Sequence, residues 1–318
     1  MSKSRDAFSN DESWDRWNTH QTTMVEQEVF GTVLRFVQDP SSEHLGTTVW
    51  DASVVLAKWF EKARDHIPLA NLTHENVFVI WYSMSDRCSA AQSRRCFGAH
   101  LAHPLSCFTR LPSLPTLGHQ NIRKGEFARA KVRGKRAIEL GAGMGLAGMA
   151  FAMVGADVVL TDTADVLGLL RINYETNLSP AAVRLARGHQ HGTWADSAGG
   201  VEVAELDWTK PEQVTTPPIR PPYDFVLAAD CIYHETLTEH FHRAVMELTN
   251  EKSTVVVCNE LRSHSVQGRF MSLFSATHSI KTVQHSKMDD TYQHPNIFIY
   301  IMKKKKKTPT SGAAAAGA

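Results

Sequence analysis

The chain has 318 residues and a formal net charge of +1, because 34 lysine and arginine residues face 33 aspartate and glutamate residues. This balance excludes a uniformly basic protein that coats nucleic acid, and it equally excludes a polyanion. With 42% hydrophobic residues, the chain can bury a sizeable core, which excludes disorder along its whole length. The charge is uneven, since residues 65–133 and residues 303–318 each carry +5, which leaves −9 for the rest of the chain.

Cysteine usage and the first residues predict where the protein resides. The five cysteines are an odd number and are widely spaced, and no apolar stretch follows the first basic residues as a secretory signal would require. The longest apolar run, VFVIWY at 77–82, is far shorter than the ~20 residues that span a bilayer. We therefore expect reduced thiols and a soluble monomer in the cytoplasm, with access to the nucleus.

The first half of the chain contains one clear helix and one long segment without a pattern. Apolar residues from Ala52 to Ala63 recur at helical spacing, which predicts a helix over 50–64. The segment that follows has four prolines, shows no sustained periodicity and is too long for a connection inside a compact domain. We expect five parts: a flexible N-terminus over 1–22, the N-terminal part of the domain over 23–64, a poorly ordered insertion over 65–133, the domain core over 134–302, and a disordered basic tail over 303–318.

From residue 134 onward, short apolar runs alternate with helical stretches, as in βαβ units. Seven strands are predicted, at 136–140, 156–162, 201–208, 223–230, 253–260, 279–286 and 296–303. Helices are predicted at 145–154, 164–177, 235–249 and 263–277, and a loop at 178–200. The short connection between the last two strands indicates an antiparallel hairpin. The fold class is therefore α/β: a seven-strand Rossmann-like sheet with helices on both faces and an antiparallel C-terminal hairpin.

A glycine-rich loop, Glu139-Leu-Gly-Ala-Gly-Met-Gly-Leu146, follows the first of these strands. Glycines at 141, 143 and 145 allow a tight turn and a close approach to a ligand, and the next helix directs its amide dipoles toward that ligand. A dinucleotide-binding loop would need glycine where Leu146 stands, and a phosphate-binding loop would need Gly-Lys-Ser/Thr, which is absent. An ordinary tight turn between strand and helix is the plain alternative.

An acidic residue ends the second predicted strand. Asp162 follows Gly143 by 19 residues, a spacing at which a carboxylate accepts hydrogen bonds from both hydroxyls of a ribose. The alternative is that Asp162 caps the helix that begins near Ala164, and the two roles are compatible.

Four motifs occur in order: Val49-Trp-Asp51 before a VLAKW helix, Ile138-Glu-Leu-Gly-Ala-Gly143, Leu206-Asp-Trp208 and Ala228-Ala-Asp-Cys-Ile-Tyr233. Together they resemble the family-16 protein-lysine methyltransferases, seven-strand enzymes that use S-adenosyl-L-methionine. Within that family, the Asp-Cys-Ile-Tyr motif, the Asp-Asp-Thr-Tyr before the last strand and the ending IFIYIMKKKK are most similar to the branch that acts on AAA-type ATPases of the valosin-containing kind. The resemblance covers about 23–64 and 134–307.

The resemblance implies a methyltransferase of protein lysines with S-adenosyl-L-methionine as cofactor. The implied partner is a protein substrate, an AAA-type ATPase of the valosin-containing kind, rather than a membrane or a nucleic acid. The cofactor site is implied at Trp50, Glu139, Gly141, Ala142, Gly143, Gly145, Asp162, Trp208 and Ala229. An aromatic face suits the adenine at Trp208 and the sulfonium at Trp50, although either tryptophan could instead pack in the core.

The catalytic residues implied are Asp230 and Tyr233, at the end of the fourth predicted strand of the sheet. We expect Asp230 to orient the target ammonium and amine, and Tyr233 to hold the aliphatic stem of the lysine. A strand-end cap with a packed tyrosine is the plain alternative. No Pro-Pro-Tyr or Pro-Pro-Phe tetrad stands here, which argues against amide or base nitrogen as the acceptor. Cys231 is expected to be a small buried filler.

Two segments do not fit this interpretation. Within the insertion, Cys96, His100, His103 and Cys107 have a spacing that could close on zinc, but no metal is assigned because their order matches none of the common zinc motifs. Lysines 303–307 are either a solvated tail after the last strand or a nuclear-targeting or polyanion-binding patch.

Two other functions stay open for the whole chain: a non-catalytic binding module whose insertion blocks turnover, and a methyltransferase of small molecules or nucleic acid on the same fold.

Overall fold

A computed structural model of the protein describes residues 22–64, 125–189 and 194–306. The chain divides into one unit of residues 1–65 and 126–318 and another of residues 66–125, and every helix and strand below belongs to the first. Residues 1–21 of the expected flexible N-terminus (1–22), residues 65–124 of the expected insertion (65–133) and residues 307–318 of the expected tail (303–318) lie outside the described residues, so these parts of the domain prediction stay predictions.

A two-stranded antiparallel hairpin, which the sequence patterns did not predict, precedes the first helix. Strand β1 (Met24–Val29) pairs with β2 (Thr32–Val37). The two turn residues, Phe30 and Gly31, have φ of 52° and 72°, as a tight type I′ turn requires. The buried positions alternate along β1, so one face of the hairpin packs on the domain and the other faces solvent.

Seven further strands form a single sheet, as predicted. They are β3 (Arg136–Leu140), β4 (Asp157–Asp162), β5 (Val201–Glu205), β6 (Phe225–Ala229), β7 (Thr254–Glu260), β8 (His278–Thr282) and β9 (Ile297–Lys304). Their order is β5-β4-β3-β6-β7-β9-β8, and all neighbours from β5 to β7 are parallel. Strand β9 pairs antiparallel with both β7 and β8, which confirms the α/β class and the antiparallel C-terminal hairpin.

The helices lie close to their predicted bounds, with two additions. They are α1 (Asp51–Arg64), α2 (Arg129–Val132), α3 (Leu146–Val154), α4 (Ala164–Asn177), α5 (Pro180–His189), α6 (Glu235–Leu248) and α7 (His264–Thr277). The prediction of a loop over 178–200 was wrong where α5 stands. Ser179 and Pro180 are a helix-start signal that could have revealed it: the Ser179 hydroxyl accepts from Ala182 N at 3.3 Å, and proline at the first helical position has no N–H to lose.

The sheet separates two apolar cores, one on each face. Along β7 every residue is buried, and its successive side chains face opposite cores: Val256 and Cys258 one, Val255 and Val257 the other. Helices α1, α3 and α4 supply the first core, whereas α6 and α7 supply the second. A strand covered on both faces reads as a continuous apolar run, which explains why the central strands were the easiest to predict.

The fold resumes before residue 134, where the predicted insertion was to end. Phe127 is 4% exposed and packs in an aromatic group with Trp59, Phe151 and Phe225, with ring centroids 4.8 to 6.5 Å apart. Helix α2 follows directly and buries Val132. The residues just ahead of β3 are therefore part of the core rather than of the insertion.

The first two lysines of the basic run 303–307 belong to the last strand rather than to a tail. Lys303 and Lys304 are the last residues of β9, and Lys303 pairs with Glu126 at 2.6 Å. The Lys304 ammonium donates to the carbonyls of Met246 and Thr249 at 2.8 and 2.6 Å, at the end of α6. The prediction that the tail starts at 303 was therefore wrong for these two lysines: Lys304 ties β9 to the end of α6, and Lys303 ties it to Glu126. In the described part of the chain, no helix combines the length and apolar character needed to cross a membrane.

Candidate active site

A cavity of about 530 Å³ opens at the carboxyl ends of β3, β4 and β6. The chain runs from β3 to β4 on one side and places β6 on the other side of β3, so the cavity lies where the strand order reverses. Open α/β sheets bind their ligands at this place. The cavity brings together ten of the eleven predicted site residues: Trp50, Gly141, Ala142, Gly143, Gly145, Asp162, Trp208, Ala229, Asp230 and Tyr233.

The glycines in the loop between β3 and α3 adopt left-handed backbone conformations. Gly141 and Gly145 have φ of 61° and 89°. A Cβ on Gly141 would lie 2.8 Å from the sulfur of Cys231, and one on Gly145 would lie 2.8 Å from Leu170 Cδ1. The glycines are therefore required both by conformation and by the packing around the loop. The loop is a tight strand-to-helix turn, and it also forms one wall of the cavity.

Asp162 fixes this loop from the end of β4. Its Oδ2 accepts from Gly143 N at 2.7 Å, and its Oδ1 accepts from Thr163 N at 2.8 Å. Burial raises the pKa of Asp162, and these backbone hydrogen bonds act against that rise. The Thr163 hydroxyl also donates to Oδ1 at 3.4 Å, so of the about four lone-pair sites of the carboxylate one remains for a ligand hydroxyl. Asp162 does not accept from the N–H of N2 or N3 of α4, which is where a helix cap would bond.

Glu139 is the predicted site residue that does not line the cavity. Its carboxyl group is 99% buried behind the loop, where Oε2 accepts from Gly148 N of α3 at 2.9 Å. Burial raises the pKa of Glu139 to about 8, with a further contribution from the charge of Asp162. Glu139 therefore holds α3 against β3, and its expected role in binding the cofactor stays a prediction.

Trp208 forms part of the cavity wall beyond β5. Strand β5 ends at Glu205, so Trp208 lies three residues past it rather than within the predicted strand over 201–208. Its ring packs edge-on against Phe241 at 5.2 Å between centroids. Its Nε1 is buried and has no hydrogen-bond partner among the described residues. A buried donor without a partner costs free energy, which fits a wall that is completed by a polar ligand.

Trp50 also lines the cavity, but the side chain of Arg262 already lies over one face of its ring. Its Nε1 donates to the carbonyl of Leu45 at 2.7 Å, which fixes the indole. The guanidinium of Arg262 lies 4.9 Å from the ring centroid. The predicted use of Trp50 as an aromatic surface for a ligand cation is therefore limited to what this internal cation leaves free.

Asp230 stands at the end of β6 in a left-handed conformation, with φ of 60°. Its two oxygens accept from the two terminal nitrogens of Arg262, Oδ1 at 2.7 Å and Oδ2 at 2.6 Å. The side chain is 2% exposed. Both oxygens are held by Arg262, so the role of Asp230 in orienting a target ammonium stays a prediction that has to work alongside this ion pair. The strained backbone places the carboxylate for that pair.

Tyr233 is the solvent-facing residue of the predicted pair. It is 44% exposed at the mouth of the cavity, so its ring is available to a long aliphatic side chain. Burial of the hydroxyl raises the pKa of Tyr233 to about 12, with nearby negative charge adding to the effect, so the hydroxyl remains a donor at neutral pH. Between Asp230 and Tyr233, Cys231 is buried and its thiol lies 3.1 Å from the carbonyl of Leu140, as expected of a packed filler.

The sequence patterns missed two parts of the site. Arg262 follows β7 by two residues, and an arginine just past the carboxyl end of a central strand was the available signal. A 3-10 turn at Leu45–Thr47, ahead of α1, forms the outer wall, and Gly46 O would lie 3.1 Å from a Cβ on Gly143. This turn has no apolar periodicity from which it could have been predicted.

The predicted zinc-spacing quartet, Cys96, His100, His103 and Cys107, lies outside the described residues. Over 22–64, 125–189 and 194–306 no cluster of three or more histidine, cysteine or acidic side chains is placed to hold a metal ion.

Comparison with known proteins gives a family and several relatives. A family model described as Lysine methyltransferase matches residues 116–277, just over half of the chain. The Protein N-lysine methyltransferase METTL21A of Xenopus tropicalis is 30% identical over 156 residues, 49% of this chain and 62% of that protein. The METTL21A of Danio rerio is 28% identical and covers 52% of this chain and 68% of its own length. EEF1A lysine methyltransferase 3 of Mus musculus is 25% identical, with 58% and 68% covered.

Proposed function

Because the chain belongs to the lysine methyltransferase family, we propose that it is an S-adenosyl-L-methionine-dependent protein-lysine N-methyltransferase. One observation carries the proposal: a single cavity joins the glycine loop and Asp162 at one end to Tyr233 and the Asp230–Arg262 pair at the other. A donor with ribose and adenine groups suits the first end, and an aliphatic amine suits the second.

The walls fit S-adenosyl-L-methionine on the chemistry of their groups. Asp162 keeps one lone-pair site for a ribose hydroxyl, and the buried Nε1 of Trp208 is a donor in need of a partner. The left-handed loop at Gly141 and Gly143 allows the backbone to approach the donor closely. When bound, the donor supplies a methyl group on a sulfonium: the lysine nitrogen's lone pair forms the new N–C bond while the electrons of the C–S bond stay on sulfur.

The protein's own task is to deliver the lysine as a neutral amine. A free lysine has a pKa of ~10.4, so deprotonation at pH 7 costs about 4 to 5 kcal/mol. The site therefore has to position and dehydrate the nitrogen rather than act as a strong base. Tyr233, exposed at the mouth, lies where it can contact the stem and donate a hydrogen bond near the nitrogen.

For the substrate, we propose an AAA-type ATPase of the valosin-containing kind. The support is the Asp-Cys-Ile-Tyr motif at 230–233, together with Asp-Asp-Thr-Tyr at 289–292 and the last strand. The acidic balance of the chain outside its two basic segments suits a lysine-bearing protein surface better than a nucleic acid.

The test incubates the purified full chain with labelled S-adenosyl-L-methionine and, separately, with the ATPase and with the elongation factor EEF1A. We expect label on a lysine of the ATPase, located by peptide mass spectrometry, and its loss with Asp162→Ala protein. Label on EEF1A alone would replace the proposed substrate but keep the reaction. No label on either protein, with the donor bound, would count against both substrates.

A further inference from the structure

Arg262 occupies the acceptor end of the cavity, where it contacts two carboxylates and one indole ring. It holds both oxygens of Asp230, and its second terminal nitrogen also lies 2.6 Å from Oε2 of Glu260. Its guanidinium stacks on Trp50. Burial opposes its charge, but the hydrogen bond to Asp230 and the nearby carboxylates raise the pKa of Arg262 above its usual value. The residue is therefore a fixed cation in the cavity wall.

Arg262 and its two carboxylate partners differ in the exposed fraction of their side chains. The side chain of Arg262 is 34% exposed, whereas those of Asp230 and Glu260 are 2% and 4% exposed. A side chain that enters from the mouth beside Tyr233 meets the guanidinium before either carboxylate. An incoming ammonium would therefore face a like charge, while a neutral amine would not.

Several elements contribute charged or polar side chains at the end of the cavity where Arg262 lies. Helix α1 contributes Asp51, the segment after β6 contributes Asp230 and Tyr233, and β7 with its following residues contributes Glu260 and Arg262. Across the cavity lie Glu43, His44, Asp162 and Asp207. Without Arg262, Asp230 loses the cation that holds both of its oxygens, and a carboxylate in that state attracts an ammonium.

We propose that Arg262 is a positioning residue that keeps Asp230 paired, so that the target lysine is held as a neutral amine rather than as an ammonium salt-bridged to Asp230. The inference rests on the proposed function. The lysine gives its proton to solvent on entry, and the freed lone pair then forms the N–C bond as the C–S bond of the donor breaks toward sulfur. Arg262 exchanges no proton in this sequence, and it acts through the charge that it balances.

The test is the pH profile of kcat with saturating donor and the purified protein that takes the label in the transfer experiment. Arg262→Gln exposes Asp230 as a partner for the ammonium, so the ionisation that limits kcat moves up by about one pH unit. Near pH 7 this is roughly a tenfold loss, which shrinks as the pH rises. Asp230→Asn removes one of the two carboxylates that pair with Arg262 and moves the same ionisation down.

Two further variants separate charge balance from simple damage. The double variant with Arg262→Gln and Asp230→Asn removes one charge of each sign, so its profile returns to within a few tenths of a pH unit of the wild type. Glu260 loses its Arg262 partner equally in the single variant Arg262→Gln and in the double variant, so the comparison between these two isolates the charge of Asp230. Arg262→Lys keeps the positive charge, so the ionisation that limits kcat stays at its wild-type pH. Loss of the two-pronged guanidinium can lower kcat itself without moving that ionisation.

Arg269→Gln is the matched control, because Arg269 pairs with Glu239 on the surface and does not line the cavity. It removes the same charge and should leave the pH profile of kcat unchanged. The inference is overturned if Arg262→Gln and the wild type have superimposable profiles, if Arg269→Gln shifts as far, or if the double variant stays shifted upward. A wild type that labels no protein would instead overturn the proposed function, and this inference with it.

Discussion

At the scale of single residues, Gly141 shows how tightly the cavity wall is constrained. Alanine there would hold a left-handed conformation that costs ~1 to 3 kcal/mol, and its Cβ would press on Cys231 at 2.8 Å. We expect Gly141→Ala to lower the free energy of unfolding by about 2 kcal/mol or more, measured by urea denaturation.

Gly168 is the control for that substitution. It lies exposed within α4, and a Cβ there would meet nothing within 4 Å. Gly168→Ala should raise the free energy of unfolding by up to ~1 kcal/mol, because alanine is the better helix former. Equal effects of the two substitutions would show that neither the left-handed φ nor the contact with Cys231 constrains the loop.

Asp162 links the loop to the donor. Asp162→Ala removes the bond to Gly143 N and the carboxylate offered to the ribose, so we expect at least a tenfold weaker affinity for S-adenosylhomocysteine in isothermal titration. Asp157→Ala is the control, because Asp157 begins the same strand and its carboxylate accepts from Gly200 N away from the cavity. Unchanged affinity in Asp162→Ala would remove the ribose contact from the account.

At the scale of elements, the junction of α7 and β8 contains a buried histidine pair. His278 is 1% exposed, and both His278 Nδ1 and His242 Nε2 lie within 2.9 Å of the Thr277 hydroxyl. Burial, then the charges of His242 and Lys304, lower the pKa of His278 from 6.5 to about 4. Between those values the unfolded chain is protonated and the folded chain is not, so stability is lost as the pH falls.

We predict that His278→Phe reduces this acid sensitivity. From pH 6.5 to 5, the free energy of unfolding should fall by about 1 kcal/mol less in the variant than in the wild type. The difference between the two proteins is the proper measure, because the raised pKa of Glu139 contributes with the opposite sign. His264→Phe, at an exposed position in α7, should follow the wild type. Parallel curves for all three proteins would show that His278 titrates normally in the fold.

The same scale shows which elements a sequence can reveal. The central strands follow from uninterrupted apolar runs because both cores contact them, and α4 follows from helical periodicity because one of its faces packs in the first core. The β1–β2 hairpin is harder to predict, since Gln27 occupies an inward position and Phe30 holds a positive φ that asparagine or glycine usually takes. Its outer edge is closed by Asn173 and Asn177 of α4, a contact far away in sequence.

Some features of the site could be predicted from the sequence, and others could not. The loop, Asp162 and Asp230 were predictable because strand ends and glycines mark them in the sequence. The pairing of Asp230 with Arg262 was not, since it depends on β7 lying beside β6, and two residues 32 apart in sequence carry no mark of their contact. The sequence therefore indicates no partner for Asp230, whereas the fold pairs both of its oxygens with Arg262.

At the scale of the whole molecule, the near-neutral charge averages parts with different roles. The lysines that begin the basic run hold β9 to its neighbours, so their charge is partly used within the fold. The cavity, by contrast, is rimmed by acidic side chains such as Glu43 and Asp207, with one arginine fixed among the carboxylates. This distribution favours a partner that presents a lysine.

The most direct measurement of the central claim follows the methyl label after incubation of the full chain with labelled S-adenosyl-L-methionine in a cell extract. Protein, nucleic-acid and small-molecule fractions are separated and counted, with Asp162→Ala protein as the blank. We predict label in the protein fraction, on lysine after hydrolysis, and none above the blank elsewhere. Label confined to RNA or to small molecules, or equal label from Asp162→Ala, would contradict the account.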